Sequence, residues 1–173
     1  IQIDTAYSFA SPDFLLSTAG TTYDLTELSA DGKIYWRVRA LNEMGAASGW
    51  SAYRAIIVDT TPPKAPVLLS PKNNGSSRGM PTFKWEAVTG ANRYQLEYDD
   101  NADFSSPLYT SDPLTVTSFK PPTSDLGVIY WHVRARDAAG NWGPWSAGRA
   151  LTVKPPLPAA PVLVSPAKDS SVA

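Results

Sequence analysis

The sequence predicts an all-β protein made of tandem antiparallel β-sandwiches, and three observations lead to this fold class. Short runs of alternating apolar and polar residues are separated by turn residues, a pattern typical of strands. The 16 prolines among 173 residues interrupt the chain too often for long helices. Several motifs also recur along the chain at one fixed spacing, which indicates repeated modules.

The repeat has a period of 95 residues. Ile34–Ala40 (IYWRVRA) returns as Ile129–Ala135 (IYWHVRA), and Ala65–Pro71 returns as Ala160–Pro166 at the same spacing. A period of this length is that of a small globular module and exceeds the usual length of a solenoid repeat. The chain is therefore expected to contain parts of at least two similar domains.

Two proline-rich segments, at 60–63 (TTPP) and 154–158 (KPPLP), divide the chain. Joints of this composition are extended and semi-rigid. We predict the C-terminal part of a first module over 1–59 and a complete second module over 60–154. Residues 155–173 would form a linker and the first strand of a third module.

The complete second module contains about seven predicted strands. In chain order they cover residues 67–69, 82–86, 94–98, 108–110, 116–119, 129–136 and 149–153. The sixth is the clearest, because every second side chain from 129 to 135 is apolar and belongs on the core face. His132, Arg134 and Arg136 then lie on the outer face. So many short strands in one small module predict an antiparallel sandwich.

Several motifs of the second module are shared with a known family. They are Trp85 in an early strand, the strand Tyr94–Tyr98 (YQLEY), Ile129–Ala135, and the turn Asp137–Asn141 (DAAGN). With the proline-rich joints, they resemble the fibronectin type III modules of bacterial extracellular proteins, which are immunoglobulin-like sandwiches. The resemblance implies an extracellular or cell-surface location. It says little about function, because such folds serve many roles.

A tryptophan-rich segment, 142–146 (WGPWS), follows the sixth strand. It resembles the Trp-Ser-x-Trp-Ser element of cytokine receptors, in which tryptophan rings interleave with arginine side chains. We therefore predict that Trp142 and Trp145 stack with Arg134 and Arg136. A cation–π contact contributes about 0.5–2 kcal/mol, so we interpret the element as stiffening of the sheet and not as receptor activity.

The first module keeps part of this tryptophan–arginine pattern. Its Arg37, Arg39 and Trp50 are expected to form a smaller stack, because Ala47 stands where the second module has Trp142. The two modules are therefore predicted to share one structural device on the outer face.

No catalytic constellation is evident, so the chain is predicted to be a non-enzyme without a cofactor. His132 is the only histidine, and the absence of cysteine removes disulfides, thiolate metal sites and cysteine nucleophiles. A general base needs a partner nucleophile, and no Gly-x-Ser-x-Gly or similar motif supplies one. We interpret His132 as a solvent-facing strand residue.

Two weaker site candidates lie in loops of the second module. Asp99, Asn101 and Asp103 place oxygen ligands at alternate positions, as calcium loops do. The first module does not keep this cluster, and a polar turn is the alternative. Asn74 begins an Asn-Gly-Ser glycosylation sequon, and Asn-Gly is also a common turn dipeptide.

Charge and hydropathy exclude several classes of partner. The formal net charge is −1, from 15 basic and 16 acidic residues, which does not favour nucleic acid or an anionic membrane surface. No apolar run in this segment approaches the ~18 residues of a membrane span. The expected partners are neighbouring copies of the module, in the same or an adjacent chain, and a cell-surface protein or glycan.

The first module lacks counterparts of the first two strands, which leaves its apolar face uncovered. The inward residues are Ile1, Ile3, Leu25, Ile34, Trp36 and Val38. Burying each contributes about 1.5–3 kcal/mol, so 1–59 is expected not to fold alone. Preceding chain could supply the strands, or another molecule could do so by strand addition. Val162, Leu163 and Val164 are the candidate donor residues, and head-to-tail donation would build a filament.

Two functions follow from these features. The first is a non-catalytic extracellular structural or adhesive array, in which each module is a semi-rigid spacer or filament segment. The alternative is an accessory carbohydrate-binding module of a secreted polysaccharide-degrading enzyme, because aromatic side chains stack on sugar rings. The tyrosines expected to be exposed for that purpose are Tyr35, Tyr53, Tyr109 and Tyr130.

Overall fold

The structure is a computed structural model that describes residues 1–26, 31–123 and 125–162. The regular elements of these residues are all β-strands. The chain divides into two compact units. Unit 1 comprises Ile1–Pro62 with Ala139–Asn141, and unit 2 comprises Pro63–Ala138 and the chain from Trp142 onward.

Unit 1 contains one antiparallel sheet of four strands. They are β1 (Gln2–Asp4), β2 (Phe14–Leu15), β3 (Gly32–Arg37) and β4 (Arg54–Val58), in the order β2-β1-β3-β4. Ile3 lies opposite Trp36, and Ile34 lies opposite Ile56. Because directly opposed side chains share a face, these apolar residues lie on one side of the sheet. The described residues of unit 1 form no second sheet over that side.

Unit 2 contains two sheets, which confirms the predicted sandwich. Its strands are β5 (Leu68–Ser70), β6 (Gly75–Arg78), β7 (Phe83–Trp85), β8 (Ala91–Asp99), β9 (Tyr109–Thr110), β10 (Ser118–Phe119), β11 (Gly127–Asp137) and β12 (Arg149–Lys154). One sheet has the order β10-β7-β5, and the other has the order β6-β12-β11-β8-β9. The neighbouring strands are antiparallel except β12 and β6, which are parallel.

The core of unit 2 is built from the alternating residues of β7, β8 and β11. Phe83 of β7 packs on Trp131 of β11, with ring centroids 4.8 Å apart. Trp85 packs on Tyr94 at 5.7 Å. The predicted inward residues of β11, from Ile129 to Ala135, are all buried. The period-two pattern therefore placed the core face of this strand correctly.

The short parallel strand β6 gave no signal in the sequence. Its residues, Gly75–Arg78 (GSSR), include no large apolar side chain. The chain enters it through Asn74, whose φ of 58° is in the left-handed region that asparagine tolerates. A Cβ at Gly75 would lie 2.9 Å from the Lys72 carbonyl oxygen. The Asn-Gly pair was predicted as a turn, and here that turn leads directly into an edge strand.

Candidate functional site

The outer face of β11 in unit 2 carries a ladder of stacked side chains. In spatial order its members are Phe104, His132, Trp145, Arg134 and Trp142, with Arg136 beside the last. The His132 ring lies between Phe104 and Trp145, at centroid distances of 3.6 and 4.0 Å and interplanar angles of 10°. The Arg134 Cζ lies 4.5 Å from the ring centroids of both Trp145 and Trp142.

Backbone hydrogen bonds hold the tryptophan segment against β11. The Gly143 N–H donates to the Ala135 carbonyl at 2.8 Å, and the Ser146 N–H donates to the Val133 carbonyl at 2.9 Å. The Val133 N–H in turn donates to the Ser146 hydroxyl at 3.2 Å. A Cβ at residue 143 would lie 2.1 Å from the Pro63 carbonyl oxygen. Glycine at position 143 therefore leaves the space that the Pro63 carbonyl occupies beside the segment.

The structure corrects the prediction for one member of this ladder, His132. It points outward from the sheet, as predicted, but only 6% of it is exposed, so the prediction of a solvent-facing residue was wrong. The two flanking rings exclude water from both of its faces. Burial lowers the pKa of His132, although its Nε2 lies 3.1 Å from a Glu97 carboxylate oxygen, which favours the charged form. The neutral imidazole is therefore the stable form in the ladder at neutral pH.

Unit 1 has the same arrangement with arginine in the histidine position. The Arg37 Cζ lies 4.2 Å from the Phe9 ring centroid and 4.7 Å from that of Trp50. The Arg39 Cζ lies 4.5 Å from the Trp50 centroid. The Arg37 Nε donates to the Gln2 side-chain oxygen at 2.8 Å. Unit 1 thus has the hydrogen-bonded pair Gln2–Arg37 where unit 2, 95 positions later in the sequence, has the pair Glu97–His132.

Sequence reasoning identified the tryptophans and arginines but missed the two phenylalanines. Phe9 and Phe104 have φ angles of 51° and 54°, in a region that costs non-glycine residues free energy. Both the phenylalanine and its left-handed backbone conformation recur in the repeat. In both units the phenylalanine ring reaches the outer face of the sheet. The available signal was a phenylalanine recurring at the repeat spacing within a polar loop.

A cluster of three tyrosines lies on the outer side of unit 1. Tyr35 packs edge-on against Tyr7 and Tyr53, with centroids 6.1 and 5.6 Å apart. Tyr7 and Tyr53 are both exposed, whereas Tyr35, which was predicted to be exposed, is half-buried. At the corresponding positions unit 2 has Ala102 and Gly148, so only unit 1 has the cluster.

Two other tyrosines expected to be exposed behave differently. Tyr109 is half-buried and stacks on Tyr98 and Phe119, at 5.5 and 6.2 Å. It belongs to the core margin, so the prediction that it is exposed was wrong. Tyr130 is half-buried on β11.

The inward face of the unit 1 sheet forms an open apolar groove with a volume of about 1040 Å³. All the inward residues named from the sequence line it, namely Ile1, Ile3, Leu25, Ile34, Trp36 and Val38. Leu15, Leu41 and Ile56 extend the apolar lining.

The calcium candidates make local turns. Burial opposes ionisation of Asp99, but hydrogen bonds from the Ser106 and Asn101 N–H groups and from Asp100 outweigh it and hold the pKa of Asp99 below its usual value. The Asp103 carboxylate accepts the Ser105 N–H at 3.1 Å. Within the described ranges, no group of three or more His, Asp or Glu side chains could hold a metal ion.

The remaining candidates are at the surface. Asn74 is exposed in its turn, and its N–H donates to the Ala150 carbonyl at 2.8 Å. Val162 is exposed, whereas Leu163 and Val164 lie outside the described residues. No helix among the described residues is long and apolar enough to cross a membrane.

Comparison with known proteins identifies the fold. No protein-family model and no curated protein matches the sequence. Among solved structures, the chain resembles the FN1–FN3 domains of chicken CNTN1 with a TM-score of 0.52, at 17% identity over 76% of this chain and 46% of that one. The chain has a fibronectin type III-like fold.

A second structural neighbour supports the same assignment. The fibronectin(III)-like modules of Clostridium thermocellum CbhA match with a TM-score of 0.50, at 14% identity over 73% of this chain and 65% of that one. The chain spans less than two thirds of the length of either neighbour. At these identities the likeness shows the fibronectin type III-like fold alone.

Proposed function

We propose that these fibronectin type III-like modules are non-catalytic structural spacers of an extracellular or cell-surface array. The observation that carries the proposal is the outer-face ladder, which occurs in both units with different members. Arg37 and His132 differ in charge and shape, yet each lies between a phenylalanine and a tryptophan ring. A reactive site would require particular groups, whereas a stiffening device requires only flat groups that stack.

The surroundings of His132 favour a structural role over a catalytic one. Both faces of its ring are covered by aromatic groups, and its Nε2 is directed to Glu97. A general base must reach the proton of a substrate or nucleophile. A substrate would reach the His132 imidazole only if the ladder opened, so the proposed role of this ring is packing.

Mechanical unfolding of the full chain by force spectroscopy tests the spacer role. A spacer stiffened by the ladder should unfold at lower force when Trp142 and Trp145 are both replaced by alanine. Tyr130→Leu is the matched control, because Tyr130 lies on the outer face of β11 outside the ladder. An unchanged force in the double variant would contradict the proposal. Antibody labelling of intact cells of the source organism would test the surface location.

A second candidate, carbohydrate binding, is favoured by the tyrosine cluster of unit 1, of which Tyr7 and Tyr53 are exposed. Tyr7, Tyr35 and Tyr53 offer aromatic rings with polar hydroxyl groups, as surfaces that meet a partially polar ligand do. Titration of the chain with soluble oligosaccharides of cellulose, xylan and chitin would detect the binding. Binding that is lost in Tyr7→Ala and Tyr53→Ala and kept in Tyr130→Ala would support it, and no binding to any of them would remove it.

A further inference from the structure

We propose that the outer face of unit 1 binds a glycan whose sugar rings carry carboxylate groups. The tyrosine cluster, Tyr7, Tyr35 and Tyr53, stacks on the sugar rings, and Lys33 and Arg37 pair with the carboxylates. This inference rests on the second proposed function, carbohydrate binding, and adds the chemical class of the ligand. It does not depend on the spacer role of the ladder.

The tyrosine cluster continues the line of stacked side chains on unit 1. Phe9, which lies over Arg37, has its ring centroid 6.4 Å from that of Tyr53. The Tyr53 centroid in turn lies 6.4 Å from that of Tyr7 and 5.6 Å from that of Tyr35. The aromatic surface therefore extends without a break from Phe9 to Tyr35. An extended surface of rings with hydroxyl groups suits a chain of sugars, because a sugar ring also has an apolar face and polar edges.

The same face carries two cations, one on each side of Tyr35 in β3. The Lys33 ammonium nitrogen lies 5.2 Å from the Tyr35 ring centroid, and Lys33 is exposed. Arg37 follows two residues after Tyr35 and donates from its Nε to the Gln2 side-chain oxygen. Alternate residues of a strand share one face, so both cations lie on the side of the tyrosines. Within the described part of the chain, neither of them forms an ion pair with a carboxylate.

The carboxylate opposite Tyr35 is held inside unit 1. Asp4 pairs with Tyr35 in the sheet, but only 4% of it is exposed. Its Oδ1 accepts the Ala6 N–H at 2.9 Å, in the turn that follows β1. A ligand on the tyrosines would therefore contact the positive groups of Lys33 and Arg37 rather than Asp4. The edge of a guanidinium group matches a planar carboxylate, so a sugar acid complements this surface better than a neutral sugar does.

Unit 2 shows that the fold does not require these side chains. At the positions of the two exposed tyrosines it has Ala102 and Gly148, and at the position of Lys33 it has Val128. The exposed rings and the exposed lysine thus occur together in unit 1 and are absent together from the matching positions of unit 2. Their joint presence on one face points to a ligand of unit 1.

The test is calorimetric titration of the full chain with a galacturonic acid oligosaccharide and with its methyl ester, which keeps the sugar rings and removes the charge. We expect the acid to bind about 5–10-fold more tightly than the ester at low salt, as two exposed charge pairs allow. This preference should fall at high salt. Lys33→Gln should lower it by at least about 2-fold. The matched control is Lys84→Gln, which removes the same charge from an exposed position of unit 2 and should leave the preference unchanged.

Each outcome separates the ligand class from carbohydrate binding itself. Equal affinity for the acid and the ester would overturn the inference and leave carbohydrate binding in place. So would binding of only the neutral oligosaccharides of cellulose, xylan or chitin. A preference that Lys84→Gln lowers as much as Lys33→Gln would also overturn it, because the net charge of the chain would then be the cause. No binding of any oligosaccharide would remove both proposals.

Discussion

Units 1 and 2 share an outer face and differ in their inner face. On the outside, Arg37 and His132 occupy the same place between two aromatic rings. The Ser51 and Ser146 hydroxyls each accept a hydrogen bond from the N–H of the equivalent valine, Val38 or Val133. On the inside, unit 2 has a second sheet, whereas unit 1 has a groove. The comparison teaches that all members of the outer ladder lie on one face of one sheet, while the inner residues of unit 2 are buried by its second sheet.

The largest expected difference is between two tryptophans that correspond in the repeat. Trp131→Ala removes a fully buried side chain and should lower the free energy of unfolding of unit 2 by about 3–5 kcal/mol. Trp36→Ala removes a half-buried side chain and should cost unit 1 clearly less. The two losses are compared by unfolding each variant in denaturant and monitoring amide signals assigned to each unit. Equal losses in the two tryptophan variants would contradict this comparison, because they would mean that Trp36 is covered as completely as Trp131.

The next expected difference between the units is in how their free energy of unfolding depends on pH. Burial lowers the pKa of His132 in the folded state, so the unfolded chain, with a histidine pKa of about 6.5, binds the proton first as the pH falls. Unit 2 should therefore have its full stability above about pH 6.5 and lose part of it as the pH falls from there through the folded pKa. Unit 1 contains no histidine, so it should show no such change.

The pH comparison is made by unfolding the chain in denaturant at several values between pH 8 and pH 5. The matched control is the double variant Glu97→Gln and His132→Arg, which introduces the pair found in unit 1. It should abolish the change in unit 2 over this range. A change that persists in this variant would mean that another group is responsible. The carboxyl group of Asp99, with its lowered pKa, contributes only at much lower pH.

The smallest expected effect concerns Gly148. A Cβ there would lie 3.2 and 3.3 Å from two carbons of the Phe104 ring, so Gly148→Ala should push the ring slightly from its place over His132. We expect unit 2 to lose less than ~1 kcal/mol, as is usual for a surface substitution with one close contact. The chemical shifts of the His132 ring protons, which report the stacked rings, should change measurably. Ala147→Gly, at the neighbouring exposed position, should leave them unchanged.

Much of the fold could be predicted from the sequence, because alternation in β8 and β11 reflects burial of one face. β6 could not be predicted, since its polar residues pair through the backbone and their side chains give no pattern. The stacking of Trp142 and Trp145 with the arginines was predicted from the order of residues in one strand and its following segment. The burial of His132 depends on Phe104, which lies in a different segment, a loop, and has a left-handed backbone conformation. Local sequence patterns do not predict a contact between residues from separate segments.

The parallel strand β6 has a consequence for how similar modules coexist in one chain. Edge strands with free backbone groups tend to pair with other edge strands, and repeats of similar sequence are prone to such misassembly during folding. In unit 2, β6 caps β12 with a short polar strand that ends in Arg78. In unit 1 the edge strand β4 instead presents exposed Ile56 and Ile57. A short polar edge strand such as β6 limits edge-to-edge pairing of unit 2 with similar modules.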